Sequence, residues 1–179
     1  DLANRLNLDT QVIPISELIT SFETALTIQF GKMPEGVTAE NLQSRIRGTL
    51  LMAIANQEGH LLLSTGNKSE LAVGYCTLYG DMNGGLSVIG DVYKTNIFEL
   101  CAWLDSDRSI ACKKALDLPS TNALIGNAIL KKPPSAELRP EQLDSDSLPE
   151  YSLLDPILKG LIEVRMSTSQ LIEAGHDPA

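Results

Sequence analysis

Residues His60 to Glu70 read HLLLSTGNKSE. The short apolar run His60–Ser64 predicts a parallel strand buried on both faces. A short helix is expected to follow, around Ser69 to Gly74. A loop at the carboxyl end of a strand, just before a helix, is where open α/β sheets take their ligands. Thr65 offers a hydroxyl or a backbone contact, Gly66 permits close approach, and Lys68 supplies positive charge. Glu70, in the first helical turn, is placed to hold Mg2+ beside phosphates. The same residues also describe a plain loop with a capped helix, in which Glu70 only complements the helix dipole. Spacing alone leaves both readings open.

Upstream, Asp1 to Leu8 reads as the end of a helix, with Leu2 and Leu6 four apart and no room for an N-cap. The β-branched run Thr10–Ile15 (TQVIPI) predicts a strand. Ser16 is expected to cap a helix whose apolar face includes Leu18, Ile19, Phe22 and Leu26, and GKMPEG (Gly31–Gly36) breaks it. A longer helix is expected from Thr38 to about Gln57, with Leu42, Ile46, Leu50, Ala53 and Ile54 as its apolar stripe and Arg45 and Arg47 leaving from other faces. Strand, helices and strand in this order predict a right-handed crossover.

Downstream lies a glycine-rich stretch from Gly66 to Gly90, within which Gly80-Asp81-Met82-Asn83-Gly84-Gly85 either moves or lets something approach its backbone. Asp81 can accept a hydrogen bond from an incoming amine or a sugar hydroxyl, or it can sit in a solvent turn. Helices are expected over Val92–Leu104 and Arg108–Leu116. Lys131-Lys132-Pro133-Pro134 excludes helix interior. An acidic loop (Glu141, Asp144, Asp146, Glu150) and helices over Ser152–Arg165 and Thr168–Ala174 complete the chain. Two expected strands are fewer than a covered parallel sheet needs, so the α/β domain reads as incomplete; a mostly helical domain is the competing explanation.

Composition narrows the classes of function. A net charge of −9 in 179 residues leaves no basic stripe for a nucleic-acid backbone. A small phosphorylated ligand needs only a few local cations and backbone N–H groups. No run of 18 apolar residues is present and the N-terminus has no signal-peptide core, so a soluble, cytoplasmic protein is expected. Cys76, Cys101 and Cys112 lack metal-ligand spacing and are expected to be reduced. His60 and His176 stand apart from any acid or thiol at catalytic spacing. Lys94 opens a helix, where it is either a phosphate contact or a solvated charge. Asn41, Arg45 and Arg47 are either surface groups or a grip for a dinucleotide's carboxylate or phosphate.

Taken together, NLQSRIRG (Asn41–Gly48), LSTGNKSELAVGYCTLYGDMNGG (Leu63–Gly85), DVYKT (Asp91–Thr95), KPPSAELRPEQLDSDSLPEY (Lys132–Tyr151) and LLDPIL (Leu153–Leu158) resemble the synthetase domain of the NAD synthetase family. The spellings GYCTLYGDMNGG and PPSAELRP look like its glutamine-dependent form. The resemblance implies a doubly wound parallel α/β sheet of the adenine nucleotide alpha hydrolase-like, N-type ATP pyrophosphatase kind, incomplete and helix-rich here. It also implies ATP-dependent amidation of deamido-NAD to NAD through an adenylated intermediate, with ammonia drawn from glutamine. Carried over by position, Thr65, Lys94 and Ser135 contact ATP, and Asn41, Arg45 and Glu70 hold deamido-NAD, with Glu70 also a Mg2+ ligand. Asp81 faces the incoming ammonia, and Asp81 and Lys94 are the catalytic candidates. A homodimer or higher homo-oligomer is implied as well.

Some of the family pattern departs. Ser135 stands where short forms have threonine, and Leu78 where they carry a lysine for the dinucleotide. The phosphate loop SGGxDS does not occur in the sequence and is expected upstream of Asp1, as is a glutaminase domain, so residues 1–179 read as a partial synthetase domain. An ammonia-dependent synthetase and a non-catalytic nucleotide-binding or dimerising piece are the alternatives. Lacking the phosphate loop, the 179-residue chain alone is expected to release no AMP from ATP and deamido-NAD; steady AMP release in a chromatographic assay would contradict this.

Overall fold

The computed structural model describes residues 2–177, in two units: Ile13–Val92 with Ala136–Gln142, and Asp1–Val12 with Tyr93–Ser135 and Leu143–Ala179.

In the first unit, helices α2 (Ser16–Phe30) and α3 (Val37–Glu58) pack together, each ended by a glycine, Gly31 and Gly59. Ser16 is the first helical residue and not the expected cap: Ile15 holds the N-cap position without a side-chain bond. Of the aliphatic stripe expected on α3, Ile46 is buried and Leu42, Leu50 and Ile54 are partly buried. Ala53 is exposed, and the buried residues are Ile46 and, on another side of the helix, Ser44, Gly48 and Ala55. Ser44, Gly48 and Ala55 are all small, so their side is shaped for close backbone approach and not for bulky packing.

Strand β1 (Leu63–Ser64) is followed by α4 (Lys68–Val73) and strand β2 (Leu86–Ser87). The two strands pair in parallel, Leu63 opposite Leu86 and Ser64 opposite Ser87. The parallel crossover therefore runs from β1 through α4 to β2, not from Thr10–Ile15 to β1 as the sequence suggested. Thr10–Ile15 forms no strand: Val12 is 91% exposed, Pro14 has no N–H to donate, and among the described residues no strand lies beside it. The expected burial of His60–Ser64 also fails, since Leu61 and Leu63 are 65% and 49% exposed. Among the described residues the sheet has only these two strands, too few to bury the run between strand neighbours.

The second unit begins with α1 (Leu2–Arg5), whose expected first residue, Asp1, lies outside the described residues. It continues with α5 (Lys94–Leu104), a 3-10 turn at Asp107–Ser109 running into α6 (Ile110–Ala115), and α7 (Asn127–Leu130), which the sequence reading did not anticipate. Helix α8 (Tyr151–Lys159) carries Pro156 inside it, passes into a π-helical turn at Gly160–Val164, and precedes α9 (Thr168–Glu173). Tyr151, Leu154 and Leu158 recur along one face of α8 and build a small core with Tyr93.

Polar groups hold much of this unit. The Arg5 guanidinium donates to the carbonyls of Leu124 and Ile125, both at 2.7 Å. The Asp105 carboxylate accepts from the N–H groups of Ile125 and Gly126, again at 2.7 Å. Lys113 is fully buried, and its ammonium donates to the carbonyls of Leu104 (2.8 Å) and Thr121 (2.6 Å), tying the C-terminal end of α5 to the 121–126 segment. A buried ammonium is tolerable only when hydrogen-bonded, and helix C-terminal carbonyls are suitable acceptors. Replacing it leaves the partly buried Thr121 carbonyl without this donor and the Leu104 carbonyl with the Ser109 hydroxyl alone. Lys113→Met is therefore expected to destabilise this unit by about 2 kcal/mol or more, read as a lower urea midpoint at constant m-value; an unchanged midpoint would contradict the assignment.

Candidate nucleotide site around the Thr77–Asp81 turn

The site-forming face of α3 is set by helical spacing. Asn41, Ser44 and Gly48 stand three and four residues apart, so they share one side. The turn Thr77–Gly80 lies on that side, closed by the N–H of Gly80 donating to the carbonyl of Thr77 at 3.0 Å. Contact is very close. A Cβ on Gly80 would fall 2.3 Å from Ser44 Oγ, and one on Gly48 would fall 2.8 Å from the carbonyl oxygen of Gly80. The glycines of the 80–85 loop thus do admit an approaching group, and at Gly80 that group is the protein's own helix.

Four hydrogen bonds fix Asp81 on this frame. Its carboxylate accepts from the Thr77 N–H at 2.9 Å and from the Ser44 hydroxyl at 3.5 Å. Its own N–H donates to Ser44 Oγ at 3.1 Å, and its carbonyl accepts from the Ser64 hydroxyl at 3.4 Å. Thr77, 5% exposed, also donates its hydroxyl to Asn41 Oδ1 at 2.8 Å. Asp81 itself remains exposed. Arg45 donates from Nε to the Leu78 carbonyl at 3.1 Å, so it too is oriented along the turn. Asn41, Arg45 and Asp81, distant in sequence, are thereby gathered in one unit. Thr77 and Ser44 were not singled out from the sequence. The available signal was a polar and small stripe (Asn41, Ser44, Gly48) on a helix otherwise read by its aliphatic positions.

At the carboxyl end of β1, Thr65 is exposed and Gly66 accepts a hydrogen bond from the Ser87 hydroxyl at 3.3 Å. Asn67 and Glu70 form a reciprocal capping box: Asn67 Oδ1 accepts from the Glu70 N–H at 3.1 Å, and Glu70 Oε2 accepts from the Asn67 N–H at 3.3 Å. The capping alternative left open by the spacing is therefore realised. Mg2+ is ordinarily held by one or two carboxylates with phosphate and water oxygens, so a single glutamate at this position fits such an ion, and among the described residues no protein-only cluster of His, Cys, Asp or Glu stands ready to hold one. Lys68 pairs with Asp91 at 2.9 Å, its own side chain 16% exposed.

Ala136–Gln142, from the KPPSAELRP stretch, is fastened to α3. Arg47 donates to the Glu137 carbonyl at 3.0 Å, and Glu40 accepts from Gln142 at 3.3 Å and pairs with Arg139 at 3.4 Å. Lys94 and Ser135 belong to the other unit. Lys94 is the first residue of α5, its ammonium 5.3 Å from the centre of the Tyr151 ring. Buried Asp155 caps that helix by accepting from the Thr95 N–H at 2.8 Å. Within the expected acidic loop, Asp144 is buried and accepts from the Tyr151 hydroxyl at 2.8 Å.

A parallel strand pair crossing over through a capped helix, with a pinned acid beside it, defines an α/β domain. Residues 1–178 match the NAD synthase family, and the chain belongs to it. It is 54% identical over 176 residues to a glutamine-dependent NAD(+) synthetase of Synechocystis sp., covering 98% of this chain and 29% of that protein. Among solved structures it is similar to the glutamine-dependent NAD+ synthetase of Acinetobacter baumannii in complex with ADP (TM-score 0.60, 40% identity, 99% of this chain and 28% of that one). It is also similar to NMN synthetase from Francisella tularensis (TM-score 0.67, 29% identity, 88% of this chain and 57% of that one). The chain thus spans under a third of the length of its glutamine-dependent relatives. The NAD synthetase neighbours support the adenine nucleotide alpha hydrolase-like α/β fold, incomplete and helix-rich in this chain.

Cys76 sits next to this frame. Burial pushes its thiol above the ordinary value of 9.0, and the Asp81 and Glu70 carboxylates push it the same way. A raised pKa delays thiolate formation, so alkylation of Cys76 should reach half its maximal rate above pH 9.0. With Cys101 and Cys112 replaced by serine, Asp81→Asn is expected to lower that midpoint; an unchanged midpoint would place the Asp81 charge away from Cys76.

Proposed function

We propose that this chain carries part of the site at which ATP-dependent amidation converts deamido-NAD to NAD, with ammonia supplied from glutamine. The observation that carries the reading is the pinned Asp81 carboxylate, exposed at its outer side and held in one unit with Asn41, Arg45, Thr65 and Glu70. Membership of the NAD synthase family and the names of the relatives support the reaction.

A carboxylate is a poor electrophile. The nicotinate carboxylate oxygen attacks the α-phosphorus of ATP, pyrophosphate leaves, and the acyl adenylate then has AMP as its leaving group. Ammonia attacks the acyl carbon, the bond to AMP breaks, and a proton passes from nitrogen to Asp81, which is oriented for it before substrate arrives. Arg45 and Asn41 hold the dinucleotide by charge-assisted and amide hydrogen bonds. Thr65, Lys94 and Ser135 contact ATP, Lys94 meeting phosphate charge. Glu70 lies against deamido-NAD and holds Mg2+, which supplies charge neutralisation at the phosphates when bound. Water must be kept from the adenylate, because hydrolysis returns deamido-NAD and AMP and wastes the ATP. The protein works in the cytoplasm as a homodimer or higher homo-oligomer. No helix among the described residues is long and apolar enough to cross a membrane.

Calorimetry with deamido-NAD tests the reading on this chain. Saturable binding without ATP is expected, and Arg45→Ala should weaken it about tenfold, the equivalent of about 1.4 kcal/mol. Absence of saturable heat, or an undiminished affinity in the variant, would overturn the assignment of Arg45 and Asn41.

A further inference from the structure

A carboxylate at the surface normally samples several rotamers, and each productive geometry is then visited only part of the time. Asp81 is differently placed. Its backbone is gripped on both sides, by Ser44 Oγ at the N–H and by Ser64 Oγ at the carbonyl, and its carboxylate accepts from Thr77 and Ser44. The Ser44 hydroxyl does two things: it accepts the Asp81 N–H and donates to the Asp81 carboxylate. Ser44 is 4% exposed and Thr77 5%, so neither can exchange these partners for bulk water. Thr77 is in turn moored to α3 by its hydroxyl on Asn41. The close contact of Gly80 with Ser44 keeps the turn at the distance these bonds need.

We infer that Ser44 and Thr77 are positioning residues for Asp81, holding its carboxylate in one orientation for the incoming nitrogen, with Thr77 tying that orientation to Asn41. The catalytic consequence rests on the function proposed above; the positioning itself does not. Neither residue touches substrate in this scheme. Each acts through Asp81, supplying the preorganisation that a general base in an exposed turn otherwise lacks.

The Cys76 thiol reads the position of the Asp81 charge without any substrate, because that carboxylate is one of the groups that raise it. In the full 179-residue chain carrying serine at positions 101 and 112, the alkylation midpoint is compared for the parent, Asp81→Asn, Ser44→Ala, Thr77→Val and Thr77→Ser. Ser44→Ala, which removes the hydroxyl donor, is expected to lower the midpoint by about half of the Asp81→Asn shift. Thr77→Val keeps the backbone N–H on the carboxylate but loses the hydroxyl that moors the turn to Asn41, and is expected to lower the midpoint in the same direction by a smaller amount. Thr77→Ser, which restores the hydroxyl, should return it to the parent value. In the Asp81→Asn background the Ser44→Ala change should have no further effect. A parent-like midpoint in both Ser44→Ala and Thr77→Val overturns the proposal. So does an equal shift with Asp81 already neutralised, which marks a general structural effect. Failure of deamido-NAD to bind in the calorimetric test overturns the functional reading alone and leaves the thiol result to decide the positioning.

Discussion

The close seating of the Thr77–Gly80 turn on α3 is the constraint on which the candidate site depends. Two backbones can come that near only where both sides lack bulk, and here Ser44 and Gly48 on the helix meet Gly80 on the turn. Once the surfaces touch, the polar groups they carry are removed from water and must find one another. Thr77 finds Asn41 and Asp81, and Ser44 finds both the N–H and the carboxylate of Asp81. A loop of glycines that suggests mobility in the sequence becomes, over part of its length, a fixed mount for an acid.

The other unit solves a related problem with charge. With aromatics at 4% of the sequence, large ring-on-ring cores are not available, and among the described residues the cluster of buried hydrophobic residues has Tyr93, Tyr151, Leu154 and Leu158 at its centre. Irregular segments are held instead by ions bonded to backbone. Arg5 and Asp105 address the carbonyls and N–H groups of 124–126 from opposite chemical sides, and Lys113 joins the end of α5 to Thr121. Asp155 does the same for the start of α5, the helix that begins with Lys94. Such groups stabilise little in net terms when complete but are costly to disrupt, which makes them effective at enforcing one loop conformation.

Much of the secondary structure was legible because it is written locally. The helix break at Gly31, the end of α3 near Gln57, the short helix before Gly74, the opening of α5 near Lys94 and the loop at Lys131–Pro134 follow from spacing, glycine and proline. The failures share one cause. Thr10–Ile15 has strand composition without a strand to pair with, and His60–Leu62 has the apolarity of a buried strand without layers to bury it. Pairing and burial are properties of neighbours, and β-preference expresses itself only where neighbours exist.

The sequence by itself determined the family-bearing stretches, the capped helix after Gly66 and the residue types offered to a nucleotide: Thr65, Glu70, Asp81, Asn41 and Arg45. It left undecided whether Glu70 was a cap, and whether Asp81 was a solvent turn residue. The tertiary structure decided that Glu70 does cap α4, and that Asp81 is pinned to a helix some forty residues upstream in the chain. It also brought in Ser44, whose signal was only its place in the polar and small stripe of α3, and Thr77, which lies in the turn seated on that stripe. The physical reason is that hydrogen-bond partners across 36 or 37 residues are chosen by which surfaces can approach closely enough to exclude water, and that choice is made by packing, not by spacing along the chain.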